Sequence, residues 1–152
     1  MLRVSRLADY AVLLAGRMAR EPARTFTAAA LARDMHLPAP TVTKVLAALT
    51  RAGLVESQRG PGGGYRSAHA APDISVGAVI AAIDGPVALT ICAEGGDACD
   101  LMEICPSAAN WQRINEAVRS TLEGISLEEL TGGGAGFPLP AAPVAAVPEM
   151  AS

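Results

Sequence analysis

The chain has 152 residues, enough for one domain with an extension and for a buried core. Aromatics make up only 3%, so that core is aliphatic. The net charge of −3 argues against a nucleic-acid partner only until the chain is divided: residues 1–67 carry +6 and residues 68–152 carry −9. No apolar run reaches the roughly 18 residues of a membrane-spanning helix. The short stretch 11–16, preceded by Asp9, does not make a signal peptide, so a soluble, cytoplasmic protein is expected.

Residues 5–20 read as a first helix. Leu7, Ala11, Leu14 and Met18 recur at helical spacing with Tyr10 beside them, and Pro22 ends the run. Thr27 is an N-cap for a second helix over residues 28–34 that turns Leu31 inward. His36-Leu37-Pro38-Ala39-Pro40 breaks the chain, because two prolines do not fit a continuing helix. Residues 41–52 form a third helix with Val42, Val45, Leu46 and Leu49 buried, stopped by Gly53. Helix, short turn and helix make a helix-turn-helix whose second member would enter a DNA major groove. The opposite face of that member carries Pro40, Lys44, Ala47 and Arg51, flanked by Thr41 and Thr43, with two cations and no acid. Hydroxyls near the helix start suit base edges, and the cations suit phosphates.

Two short strands follow, 54–59 and 65–67, around Gly60-Pro61-Gly62-Gly63-Gly64. Placed after a recognition helix, they make a wing. Its glycines allow a tight turn, and Arg59 and Arg66 flank that turn, placed for phosphates or a narrow minor groove. No Lys-Ser/Thr pair and no helix follow the glycines, which excludes a nucleotide-binding P-loop. Asp73 or Ser75 caps a fourth helix, 76–83, closed by Gly85-Pro86.

All three cysteines, Cys92, Cys99 and Cys105, fall within 14 consecutive positions. An odd number argues against a closed disulfide framework, and converging thiolates bind zinc or an iron–sulfur cluster. The wide gaps and the absence of a fourth thiol favour a cluster over structural zinc. A reversible disulfide with no metal is the alternative that the residues leave open. Residues 108–122 are again helical, with Trp111, Ile114, Val118 and Leu122 on one stripe. Gly124 ends the helix, and Ser126-Leu127-Glu128-Glu129 reads as a capping box. That stripe exceeds the needs of one small domain and suits pairing with a second copy, the alternative being that it packs on its own domain. From residue 131 the chain is rich in Gly, Ala and Pro and is expected to be disordered. No nucleophile–base arrangement suggests an enzyme, and no small-molecule substrate is expected.

The opening LRVSRLADYAVLL, the wing RGPGGGYR, the segment ISVGAVIAAIDGP, the three cysteines and NWQRINEAVRSTLEGISLEEL together resemble the Rrf-type (IscR/NsrR-like) winged-helix iron–sulfur regulators. Within that family they resemble above all the proteobacterial branch that controls the SUF cluster-assembly system. The resemblance covers about residues 1–130. It implies a homodimeric transcription factor that binds double-stranded DNA and an iron–sulfur cluster, usually [2Fe–2S], held by Cys92, Cys99 and Cys105. It also places DNA contacts on Thr41, Thr43, Lys44 and Arg51 and on the wing residues Arg59, Gly60, Gly62, Gly63 and Tyr65. One position departs from the IscR pattern, which has a histidine ligand three residues after the last cysteine. Here that residue is Ala108, and His36 and His69 lie elsewhere. In the NsrR-like branch an aspartate of the first helix, from the partner subunit, completes the site, and Asp9 stands at the matching place. Glu94, Asp97, Asp100 and Glu103 are the local alternatives.

The expected architecture is mainly α, an α+β winged helix-turn-helix with a long dimerisation helix. The divisions are 1–86 for the DNA-binding domain, 87–107 for the cysteine loop, 108–130 for the dimerisation helix and 131–152 for the tail. The rival functions are a metal-free thiol-redox repressor and a small electron-transfer or cluster-carrier protein.

Overall fold

The computed structural model describes residues 3–93 and 104–132, with Cys92 as backbone only. The expected disordered tail lies outside the described residues from position 133 onward. The elements run α1 (Arg6–Ala19), α2 (Ala28–Asp34), α3 (Ala39–Arg51), β1 (Val55–Gln58), β2 (Gly64–Ser67), α4 (Val76–Asp84), α5 (Ala108–Glu123) and α6 (Leu127–Thr131). Short 3₁₀ turns at Ala71–Asp73 and Ile91–Ala93 join them. The fold is mainly helical with one antiparallel hairpin, a winged helix.

Local chemistry sets most of the helix starts. Ser5, Thr27 and Ser75 each accept a hydrogen bond at 3.1 Å from the backbone N–H three residues on, which satisfies an otherwise orphaned donor. Ser126 does the same for Glu129, whose carboxylate returns a bond to the Ser126 backbone and closes a full capping box. The Ser126 backbone N–H and then its hydroxyl, both donating to the Glu129 carboxylate at 2.8 Å, hold that carboxyl below its ordinary pKa. α3 departs from expectation: it begins at Ala39, two residues early, with Pro40 inside its first turn. A proline costs nothing there, because the first-turn N–H groups have no intrahelical partner.

Among the described residues the core is one cluster, aliphatic but for Phe26 and Met18. Leu14 and Met18 of α1, Leu31 of α2, Val42, Val45, Leu46 and Leu49 of α3, and Val79 of α4 are fully buried. Leu127 of α6 joins them at 0% exposure, although it lies after the cysteine segment in sequence. Two backbone bonds bring it there: Val76 N–H donates to the Ile125 carbonyl and Leu127 N–H to the Ile74 carbonyl, both at 2.8 Å. α4 meets α5 closely at Gly77, where a Cβ would stand 3.1 Å from backbone atoms of Leu122 and Glu123. Among the described residues no helix is long and apolar enough to cross a membrane.

Candidate nucleic-acid interface and cysteine segment

The side of α3 away from the core presents Pro40, Thr43, Lys44 and Arg51 to solvent, with Thr41 and Ala47 half-buried. Neither Lys44 nor Arg51 has an acid within ion-pair distance among the described residues. The Thr43 hydroxyl donates to the Ala39 carbonyl at 3.0 Å. Its proton is therefore committed to the helix, and toward a base Thr43 offers acceptor lone pairs and a methyl group.

The wing is docked rather than free. β1 and β2 pair antiparallel with Val55 opposite Ser67, Glu56 opposite Arg66, Ser57 opposite Tyr65 and Gln58 opposite Gly64. Phe26, in the loop before α2, exchanges two backbone bonds with Tyr65, at 2.7 and 2.8 Å, and so acts as a third short rung. The buried Phe26 ring lies under the guanidinium groups of Arg17 and Arg24, 5.0 and 4.7 Å from its centroid. Glu21 binds both arginines, and these hydrogen bonds, that from Arg17 first, hold its carboxyl below the ordinary range. At the tip, Gly60 and Gly62 have φ of 97° and 73°, backbone that residues with a Cβ rarely adopt. Both are exposed, Gly63 and Tyr65 are half-buried, and Arg59 stands exposed without an acid partner among the described residues. Arg66 differs from the expectation of a free phosphate-binding cation. It is held across the hairpin by Glu56, Nε donating to Oε2 at 2.7 Å, because the register sets the two side chains opposite each other.

The cysteine segment is anchored at both ends on α5. Asn115, buried at 5% exposure, accepts the Leu89 N–H on its Oδ1 at 3.0 Å, and the 3₁₀ turn that contains the Cys92 backbone packs against α5. At the other end Cys105 is a half-buried thiol with no disulfide among the described residues, three residues before α5, its carbonyl accepting from Ala108 N–H at 3.3 Å. Cys99 and the acids Glu94, Asp97, Asp100 and Glu103 lie outside the described residues. Asp9 is exposed on the first turn of α1, beside a groove shared with Arg6, Val12, Ile80 and Leu122. Within the chain it makes no hydrogen bond or ion pair to Cys105 among the described residues. The sequence offered no sign of the Asn115 contact, because it joins residues 26 positions apart. Asn115→Ala leaves the Leu89 N–H without its partner and is expected to cost about 1–3 kcal/mol, seen as a lower urea midpoint. An unchanged midpoint would show that this N–H finds another acceptor.

α5 carries an uncovered stripe. Trp111 and Ile114 are 41% and 48% exposed, whereas Val118 and Leu122 are half-buried beside Val4, Ile80 and Val87.

Residues 4–133 match the family described as Rrf2, iron-dependent transcriptional regulator. This chain belongs to the Rrf2 family. Its curated relatives include the HTH-type transcriptional regulator IscR of Aliivibrio salmonicida, 44% identical over 82 residues, which is 54% of this chain and 48% of that protein. IscR of Vibrio atlanticus is 45% identical over 82 residues, 54% of this chain and 47% of that one. The chain thus spans about half the length of the curated relatives it matches. Among solved structures, T. potens IscR superposes with a TM-score of 0.63 at 24% identity, covering 86% of this chain and 87% of that one. The CymR (YrzC) global cysteine regulator of B. subtilis gives 0.65 at 25%, covering 87% and 98%. The winged-helix fold is therefore that of other Rrf2-type proteins, and the relatives are named as regulators rather than enzymes.

Proposed function

We propose that this Rrf2 chain is a cytoplasmic, homodimeric transcription regulator that reads double-stranded DNA and reports on iron–sulfur status through a bound [2Fe–2S] cluster, controlling SUF cluster-assembly genes. The observation that carries the reading is the acid-free face of α3, with Thr43, Lys44 and Arg51 exposed beside a docked wing that presents Arg59. Thr41, Gly60, Gly62, Gly63 and Tyr65 complete that surface, the glycines by letting backbone approach a phosphate closely. The proposed division keeps 1–86 as reader, 87–107 as cluster loop, 108–130 as the dimerisation segment and 131–152 as a disordered tail. The uncovered Trp111 and Ile114 support pairing of two copies through α5.

Three thiols within 14 positions, with Cys105 held half-buried ahead of α5, are the soft anionic donors that an iron–sulfur cluster takes. Cys92, Cys99 and Cys105 would hold it, with Asp9 of the partner subunit as the fourth, oxygen ligand. When bound, the cluster supplies a centre that responds to iron and oxidants. A carboxylate is a harder donor than a thiolate and releases more readily, which suits a sensor. Asp9 lies on α1, which packs on α3, so tension at Asp9 acts on the helix that supports the reading helix. Such coupling needs two states of different DNA affinity.

Anaerobic purification with visible spectroscopy and iron and sulfide counts tests the cofactor. A colourless, iron-free protein that oxidises to a disulfide would instead make it a metal-free thiol-redox repressor. On an operator selected from random duplexes, Thr43→Ala and Lys44→Ala are each expected to cost about 1–3 kcal/mol of binding, concentrated at one or two base positions. Equal loss on random DNA would reduce α3 to a backbone contact. The absence of any sequence-specific binding would favour the carrier protein.

A further inference from the structure

Glu56 is the only acidic residue between Asp34 and Asp73, a span that contains all of α3 and both wing strands. An acid on a surface that faces polyanionic DNA is unfavourable unless something offsets it. Here Glu56 is occupied. Arg66 lies directly opposite it in the hairpin register, with Nε and Nη2 at 2.7 and 2.6 Å from the same carboxylate oxygen. Side chains alternate across a strand, so this pair shares the face turned away from Val55, Tyr65 and Ser67, which lean on the core. Both members are about half exposed, and either could meet solvent or a phosphate. The other cations of the surface, Lys44, Arg51 and Arg59, have no such acid among the described residues.

We propose that Glu56 is a specificity-determining residue of the reader: it withholds Arg66 from the DNA backbone, so the wing grips phosphate through Arg59 alone. The inference rests on the DNA-reading function above and names a regulator of its selectivity. A phosphate contact adds the same affinity to every duplex, whatever its sequence. A second wing cation would therefore strengthen binding to random DNA as much as to the operator, and competing genomic sites would gain with it. Moving Arg66 to a phosphate would also strand the Glu56 carboxylate beside that phosphate, a like-charge contact that keeps the pair closed.

The test uses Glu56→Gln, Arg66→Gln and the double variant, with fluorescence anisotropy on a random-sequence duplex and on the selected operator across a potassium chloride series. Glu56→Gln should steepen the slope of log affinity against log salt by about 0.9 on both duplexes, or about 3.5-fold more affinity lost for a fourfold rise in salt. The double variant, which removes the acid and the cation together, should keep the slope of the unaltered protein, whereas Arg66→Gln alone bares Glu56 toward the phosphates and should weaken binding to both duplexes. Three results would each overturn the proposal. One is an unmoved slope in Glu56→Gln. Another is a slope flattened in the double variant, which would place Arg66 on a phosphate already. The third is a gain that persists in the double variant, which would reduce Glu56 to simple repulsion. If the unaltered protein binds neither duplex, the DNA-reading function falls and this inference with it. If it binds both and only the variants fail to behave as stated, this inference falls alone.

Discussion

Replacing Cys105 by alanine should give a colourless protein from an anaerobic preparation in which the unaltered chain is coloured. Three thiolates and one carboxylate are a minimal donor set for a cluster, and removing one thiolate leaves two strong ligands. Cys92→Ala and Cys99→Ala should do the same, because no fourth thiol exists to substitute. The fold should survive in Cys105→Ala, since Cys105 is not part of the core cluster among the described residues, and far-ultraviolet circular dichroism checks all three variants. Asp9→Ala should behave differently: the cluster forms on three thiolates, its visible dichroism changes, and a chelator removes it faster. Full absorbance and iron in all three cysteine variants would refute the ligand set. An Asp9→Ala protein indistinguishable from the unaltered one would move the fourth ligand to the acids of the cysteine segment.

Ile114→Asp should break the proposed pairing through α5 into monomers and lower affinity for a two-fold-symmetric operator by about 10²–10⁴-fold, the avidity lost when two linked half-site contacts become one. Ile114 is half exposed on α5, next to an exposed Trp111, and lies outside the core cluster of the described residues. A carboxylate placed there costs little in a monomer and much in a paired apolar seam. Sedimentation equilibrium reads the first effect, and anisotropy on full and half operators the second. A variant that still sediments as a dimer would show that the two copies meet elsewhere.

The features that could be read in the chain beforehand were mostly local. Thr27 and Ser126, and Ser75 with Asp73 as its alternative, announce helix starts because a cap is a contact between neighbours three residues apart, whereas Ser5 reads as the first helical residue and is instead the cap. The wing was legible because glycine and proline punctuate it. The start of α3 was misplaced because Pro38-Ala39-Pro40 reads as a break, yet only Pro38 lies outside the helix. The reader's free and paired cations could not be told apart, because the Glu56–Arg66 contact depends on hairpin register, and register depends on which glycines form the turn. Phe26–Tyr65, Asn115–Leu89 and Leu127–Ile74 join distant positions, and no periodicity within either partner reveals them. Of the candidate ligands, Cys105 and Asp9 are placed with their side chains, and Cys99 lies outside the described residues.

The burial of Leu127 has a consequence for biosynthesis. Translation delivers α1 to α4 first, then the whole cysteine segment, and only then the residue that fills the space beside Ile74. Until that residue leaves the ribosome the nascent reader lacks a fully buried leucine, a gap of the kind that costs about 2–5 kcal/mol in a finished core. Domains fold as their residues emerge, so this one cannot close until its thiols are already outside the exit tunnel. A prematurely terminated chain that ended within the cysteine segment would be left unclosed and open to proteolysis, so the first four helices without the segments that follow them would not persist.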